Sequence, residues 1–206
     1  MSPRPYQLGR RQEATEQTRS SILAAARELL MTTGSFSGFT VDAVARQAGV
    51  ARMTVYYQFG SKVGLLEALT DDLATRGQMD RLASAFRQSE PLDTLAEFIT
   101  TFGRFWSTDR LITRRLRALA ALDADFAHVV RARDERRREG ARVIVSRLTA
   151  AYGKPAAEAL DEAVAVLYTL TAFETFDTLI GPAHEPVDVA PLVNRIARAA
   201  LGLDGL

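Results

Sequence analysis

Between Phe39 and Lys62 the chain gathers side chains that can donate, accept and stack. Arg52, Met53, Thr54, Tyr56, Tyr57 and Gln58 crowd one short stretch, with Thr40 upstream and Lys62 downstream. Guanidinium, hydroxyl and amide groups can match the donor and acceptor patterns of base edges, and threonine and lysine can grip phosphate oxygens. Only Val50, Val55 and Phe59 remain there as apolar anchors. That is too much exposed chemistry for a core element and suits a surface that reads nucleic acid.

Such side chains need a short, rigid element to carry them and a second to brace it. Thr40 can cap a first helix, because its hydroxyl can accept from an orphan N–H of the opening turn. Val41, Val44, Ala45 and Ala48 then recur at helical spacing and form one apolar stripe. Gly49 follows where a tight turn needs φ > 0. A second helix carries the residues from Arg52 to Phe59, and a third starts at Ser61. This is the order of a helix-turn-helix with the second helix as the reader.

The run Thr40-x3-Val44-Ala45-x2-Ala48-Gly49-Val50-x3-Thr54-Val55-Tyr56-x2-Phe59-x-Ser61-Lys62-x2-Leu65-Leu66 resembles the signature of the TetR family of bacterial transcriptional regulators. The resemblance covers about a quarter of the chain. It implies that Thr40 touches phosphate from the start of the supporting helix. Thr54 and Tyr56 would then lie on the recognition helix, and Lys62 would reach phosphate from the start of the next. Three residues depart from the pattern. Ala51 stands where a capping serine is frequent, Met53 replaces a small residue or proline, and Gly64 sits where Glu would complete a capping box with Ser61.

Composition narrows the rest. The 206 residues suit one compact two-part protein or two small domains, and 47% hydrophobic residues can fill an ordinary core. The net charge is only +1, yet residues 1–62 hold eight Arg and Lys against four acids. Positive charge is thus concentrated around the reader, as phosphate neutralisation requires. The absence of cysteine excludes disulfides and thiolate zinc sites. No apolar run follows Arg4, Arg10 and Arg11, so the start does not read as a secretory signal. Ala163 to Phe173, the longest apolar-rich run, falls short of the ~18 residues of a membrane span. A soluble, cytoplasmic protein is expected.

The expected fold is all-α: an N-terminal three-helix helix-turn-helix domain over residues 1–66, and a C-terminal helical effector-binding and dimerisation domain over 67–206. Residues 1–14, polar and containing Pro3 and Pro5, read as a flexible arm. A helix is expected from Thr15 to Thr33, with Ile22, Leu23, Ala26, Leu29 and Leu30 on one face and Gly34 as its stop. The helix from Ser61 should continue toward Phe86, weakened at Gly77 by about 1 kcal/mol relative to Ala. Further helices are expected over 92–106, 111–122, 123–152, 155–180 and 189–201. Gly153 and Gly181-Pro182 serve as stops, and Pro155 sits in a first turn.

The last two helices are apolar over an unusually wide arc, which marks burial on more than one side. Leu160, Val164, Leu167, Val193, Ile196 and Ala200 are the candidates for a dimer face. The alternative is a helix central to its own domain. The family resemblance implies a homodimer joined through these helices as a four-helix bundle. Phe98, Phe102, Trp106, Phe126, Tyr168 and Phe173 are candidates for the wall of an effector pocket, with plain core as the alternative. The arginines between Arg131 and Arg142 alternate with Asp134, Glu135 and Glu139 and read as a salt-bridged solvent face. His128 and His184 lack further ligands at metal spacing.

No cofactor, metal or catalytic residue is expected, because the adjacent acids sit on helices about 100° apart and no nucleophile motif occurs. The expected function is that of a DNA-binding regulator: a ligand-responsive repressor that holds a palindromic double-stranded operator as a dimer and answers a small apolar or amphipathic effector. An activator, or an adaptor whose C-terminal domain binds a protein, is the alternative. An enzyme that uses the helix-turn-helix only for packing is a weaker one.

Overall fold

A computed structural model of the chain describes residues 6–32, 38–180 and 186–205. Residues 1–5 of the expected arm, the stops at Gly34 and Gly181-Pro182, the loop 35–37 and His184 lie outside the described residues. Among those described there are eleven α-helices and no strand. They are α1 (Tyr6–Thr32), α2 (Val41–Gln47), α3 (Arg52–Phe59), α4 (Lys62–Arg76), α5 (Leu82–Ala85), α6 (Pro91–Ser107), α7 (Arg110–Leu122), α8 (Ala124–Tyr152), α9 (Leu160–Leu170), α10 (Phe173–Leu179) and α11 (Pro186–Ala200). The all-α expectation holds.

The chain forms two compact units, Met1–Asp71 with Arg114–Ala127, and Asp72–Thr113 with His128–Leu206. In the first, α1 buries Ile22, Ala26 and Leu30 of the expected stripe and Ala25 beside them, with Leu23 and Leu29 half-buried. Phe39, Val41, Val44, Ala45, Val55, Leu65 and Leu66 are buried in the same unit, as are Leu116, Leu119 and Phe126 from the 114–127 segment. The Arg115 guanidinium donates to the Leu30 carbonyl near the end of α1, where carbonyls lack intrahelical partners.

One expectation for this unit fails. The arm was to extend to residue 14, but α1 begins at Tyr6. Residues 12–17 are exposed, so no apolar stripe announces the extension. Gln, Arg, Glu and Ala nevertheless favour helix intrinsically, and a helix already nucleated downstream grows by one hydrogen bond per residue.

In the second unit, α6 is the central element. Pro91 opens it, where a missing N–H costs nothing. Leu95, Phe98, Ile99, Phe102 and Trp106 form a buried stripe that shares one core with Val193 and Ala197 of α11, Leu201 just beyond it, and Val164 and Leu167 of α9. Ala141, Ile144, Val145 and Leu148 of α8 join them. Gly153 ends α8 at φ +66, as its position predicted.

Two helices stop earlier than the sequence suggests. The helix from Ser61 does not continue toward Phe86; α4 ends at Arg76, and Gln78 takes φ +56 before a short 3-10 turn and α5. A Cβ on Gly77 would lie 2.9 Å from the Phe105 Cα and 2.8 Å from its ring, so glycine marks a close approach to α6. The single helix expected over 155–180 is likewise two. Pro155 precedes a 3-10 turn, α9 starts at Leu160, and the chain breaks at Thr171–Ala172 before α10. Side chains distant in sequence take up the groups freed at this break. The Trp106 Nε1–H donates to the Thr171 carbonyl at 3.1 Å, and Arg137 donates to the Tyr168 carbonyl and, at 3.3 Å, to Thr171 Oγ1.

Candidate nucleic-acid interface

The reading surface is built from the first unit. Thr40 adopts an extended backbone (φ −125, ψ 156), and its Oγ1 accepts from the Ala43 N–H at 3.1 Å, which fixes where α2 begins. Val44 and Ala45 turn inward, and the chain leaves α2 through Gly49 at φ +65. A side chain there would meet open space, so glycine is required by its backbone alone.

Ala51 then stands at the N-cap of α3 without a side-chain cap bond. In place of a cap, α3 is held at its sides. Val55 is buried from below, and the Arg19 guanidinium donates to the Gln58 carbonyl at 3.1 Å while lying 4.5 Å from the Phe59 ring centre. Gln47 on α2 donates to Glu28 on α1 at 2.9 Å. Sequence reading missed Arg19, Glu28 and Gln47, because their partners lie 19 or more residues away and no local pattern pairs them.

The predicted contact residues share this region but differ in exposure. Met53 is 71% exposed and Tyr57 87%, which leaves two large apolar or flat groups in solvent on one short helix. Thr40 and Arg52 are exposed; Thr54, Tyr56 and Lys62 are half-buried. Arg52 is restrained from two directions, by the Asp42 carboxylate of α2 at 3.4 Å and the Tyr56 hydroxyl at 3.2 Å. Its pKa is raised by these contacts, Tyr56 first and Asp42 second. The Lys62 ammonium lies 6.0 Å from the Phe39 ring centre at the start of α4. Ser61 Oγ accepts from the Gly64 N–H at 2.9 Å. A Cβ on Gly64 would sit 2.1 Å from the Phe59 carbonyl oxygen. The glycine that interrupts the expected capping box is therefore demanded by the turn between α3 and α4.

Residues 22–69 match the model of the bacterial regulatory proteins of the tetR family. That match takes in about a quarter of the chain: α2, α3 and parts of α1 and α4. A 58-residue segment is 45% identical to the HTH-type transcriptional regulator AlkX of Mycobacterium tuberculosis, covering 28% of this chain and 27% of that one. Such matches span about a quarter of the relatives' own length. Beyond them the likeness is one of fold. A TetR-like transcriptional regulator from Rhodococcus sp. RHA1 aligns with a TM-score of 0.68 at 20% identity, over 90% of this chain and 96% of that one. FadR from Bacillus subtilis, solved with stearoyl-CoA, aligns at 0.65 and 16% identity over 91% and 98%.

The other candidate residues fall in different places. Phe98, Phe102, Trp106 and Phe173 form a chain of packed rings in the second unit, with centroid separations of 5.0, 6.0 and 5.5 Å along that order. Tyr168 is half-buried, and the Arg137 guanidinium carbon lies 4.0 Å from its ring centre and 6.0 Å from that of Phe102. Phe126 is a fully buried residue of the first unit. Of the dimer candidates, Val164, Leu167 and Val193 are buried within the chain's own core, Leu160 is half-buried, and Ile196 and Ala200 are exposed.

Within the arginine-rich stretch of α8, Arg137 departs from the expected solvated face: it is 5% exposed and paired with Asp134 at 3.2 Å. The broken helix end at Thr171 supplies the acceptors that make its burial tolerable. Its neighbours do form surface pairs, at i,i+3 spacing: Arg138 with Glu135 and Arg142 with Glu139. His128 is exposed. No group of three or more His, Asp or Glu suited to a metal stands together among the described residues, and none of their helices is long and apolar enough to cross a membrane.

Proposed function

We propose that the protein is a DNA-binding transcriptional regulator that works as a homodimer in the cytoplasm, with residues 1–66 as the reading domain and 67–206 as the effector and dimer domain. The single observation that carries this reading is the exposure of α3. It displays Arg52, Met53 and Tyr57 outward while Val55 and the Gly49 turn hold it rigid. A two-fold dimer would present two such helices to successive major grooves about 34 Å apart, or a multiple of that, which calls for a palindromic operator.

We assign the regulator a repressor's role, relieved by a small apolar or amphipathic effector bound among the aromatic residues of the second unit. The ring series Phe98–Phe102–Trp106–Phe173 supports that assignment as an apolar wall, and half-buried Tyr168 is the candidate with a polar group to add to it. FadR, of like fold, holds stearoyl-CoA. The effector would act only through its differential affinity for the DNA-fitting and the splayed dimer.

The test is direct. DNA selected by the purified protein from its source genome should yield a palindrome. Tyr56→Ala combined with Lys62→Ala should weaken binding to it at least tenfold and flatten the dependence of log K on log salt by roughly one unit for each lysine lost. Unchanged affinity and slope in the double variant would falsify the assigned reader.

A further inference from the structure

Arg52 is the first residue of α3 and is exposed, yet it is not free to search. The Asp42 carboxylate lies 3.4 Å from one terminal nitrogen, the Tyr56 hydroxyl lies 3.2 Å from the other, and the guanidinium carbon stands 5.4 Å from the Tyr56 ring centre. A carboxylate at this place works against phosphate binding, since the pair with Arg52 has no net charge and adds nothing to counterion release. The same carboxylate and hydroxyl fix a long side chain whose rotamer freedom would otherwise be lost on binding. Each occupies only one of the two terminal nitrogens, so the five-donor fork keeps unused N–H groups.

Resting on the DNA-reading assignment above, we infer that Arg52 is a base-reading residue that recognises a guanine in each half-site through O6 and N7, and that Asp42 is the residue that positions it. Guanine is the base whose major-groove edge offers two acceptors to one guanidinium fork. Tyr56 contributes the second tether. Asp42 touches no base; it sets the direction of the fork and suppresses indiscriminate attraction to the backbone.

The test uses the full chain and duplexes selected from a randomised library by the wild-type protein, with scrambled duplexes of equal length as reference. Arg52→Ala should lower affinity for the selected duplex, relative to the scrambled one, by about 5- to 150-fold for each half-site and erase the preference for one guanine per half-site. Arg52→Lys, which keeps the charge, should lose the same preference. Asp42→Asn should bind scrambled duplex more tightly, steepen the salt slope by roughly one unit per reading helix, and shrink the ratio of selected to scrambled affinity. Losses equal on both duplexes for Arg52→Ala would make Arg52 a phosphate clamp and overturn the inference. An unchanged ratio in Asp42→Asn would overturn the positioning role. If the wild type selects no sequence at all, the DNA-reading assignment itself fails, and this inference with it.

Discussion

At the scale of single residues, two glycines show how differently one residue type can be required. Gly49 has φ +65 and nothing within 4 Å of a would-be Cβ, so Gly49→Ala should cost only the left-handed conformation, about 1–2 kcal/mol. Gly64 sits in a helix, where alanine would gain about 1 kcal/mol in propensity. Its Cβ, however, would meet the Phe59 carbonyl oxygen at 2.1 Å, and a backbone atom cannot swing aside as a side chain does. Gly64→Ala should therefore destabilise despite its propensity, by about 2 kcal/mol, as strain of this kind commonly does. Urea unfolding of the two variants checks the contrast; a Gly64→Ala protein as stable as the wild type would refute the close approach. The sequence showed Gly64 only as a missing glutamate, because a clash with a residue five positions earlier depends on the turn that separates them.

At the scale of elements, what was legible depended on how local the cause is. Thr40, Gly49 and Gly153 act within a turn of their own positions, and the structure places α2, the α2–α3 turn and the end of α8 where they predict. The break at Thr171–Ala172 has no such cause, since threonine and alanine do not stop helices. It persists because Trp106 and Arg137, on two other helices, take up its carbonyls and hydroxyl. Arg137 escaped notice for the same reason: an arginine among arginines and acids reads as surface until its acceptors are known. Arg137→Met should leave the Asp134 carboxylate and the Tyr168 carbonyl without this donor and cost about 3 kcal/mol, in the range for breaking a buried pair. Asp134→Asn keeps an acceptor oxygen and should cost roughly 1 kcal/mol. Trp106 is the sole tryptophan and its N–H binds the broken helix, so its fluorescence should report the loss directly during denaturant unfolding. Equal stability of Arg137→Met and the wild type would show the break to be held by something else.

At the scale of the whole molecule, the wide apolar arcs of the last helices posed a choice between own core and partner. Burial now divides the candidates. Val193 is fully buried within the chain's own core, whereas Ile196, three positions on in α11, is 38% exposed and Ala200 beyond it is exposed too. A charge at Val193 would enter the chain's own core and unfold it, so loss of dimer there would prove nothing. Ile196 offers the cleaner probe. Its side chain already meets solvent, so Ile196→Glu should change monomer stability by less than about 1 kcal/mol. If α11 forms the proposed dimer face, the same change places two like charges against an apolar partner surface, and sedimentation should show a monomer at concentrations where the wild type is paired. DNA affinity should then fall by two orders of magnitude or more, because the second half-site would no longer be bound at the high effective concentration a dimer supplies. The contacts made by each α3 are untouched, so the guanine preference within a half-site should survive. An Ile196→Glu protein that remains dimeric and binds the palindrome as tightly as the wild type would move the dimer face off this side of α11.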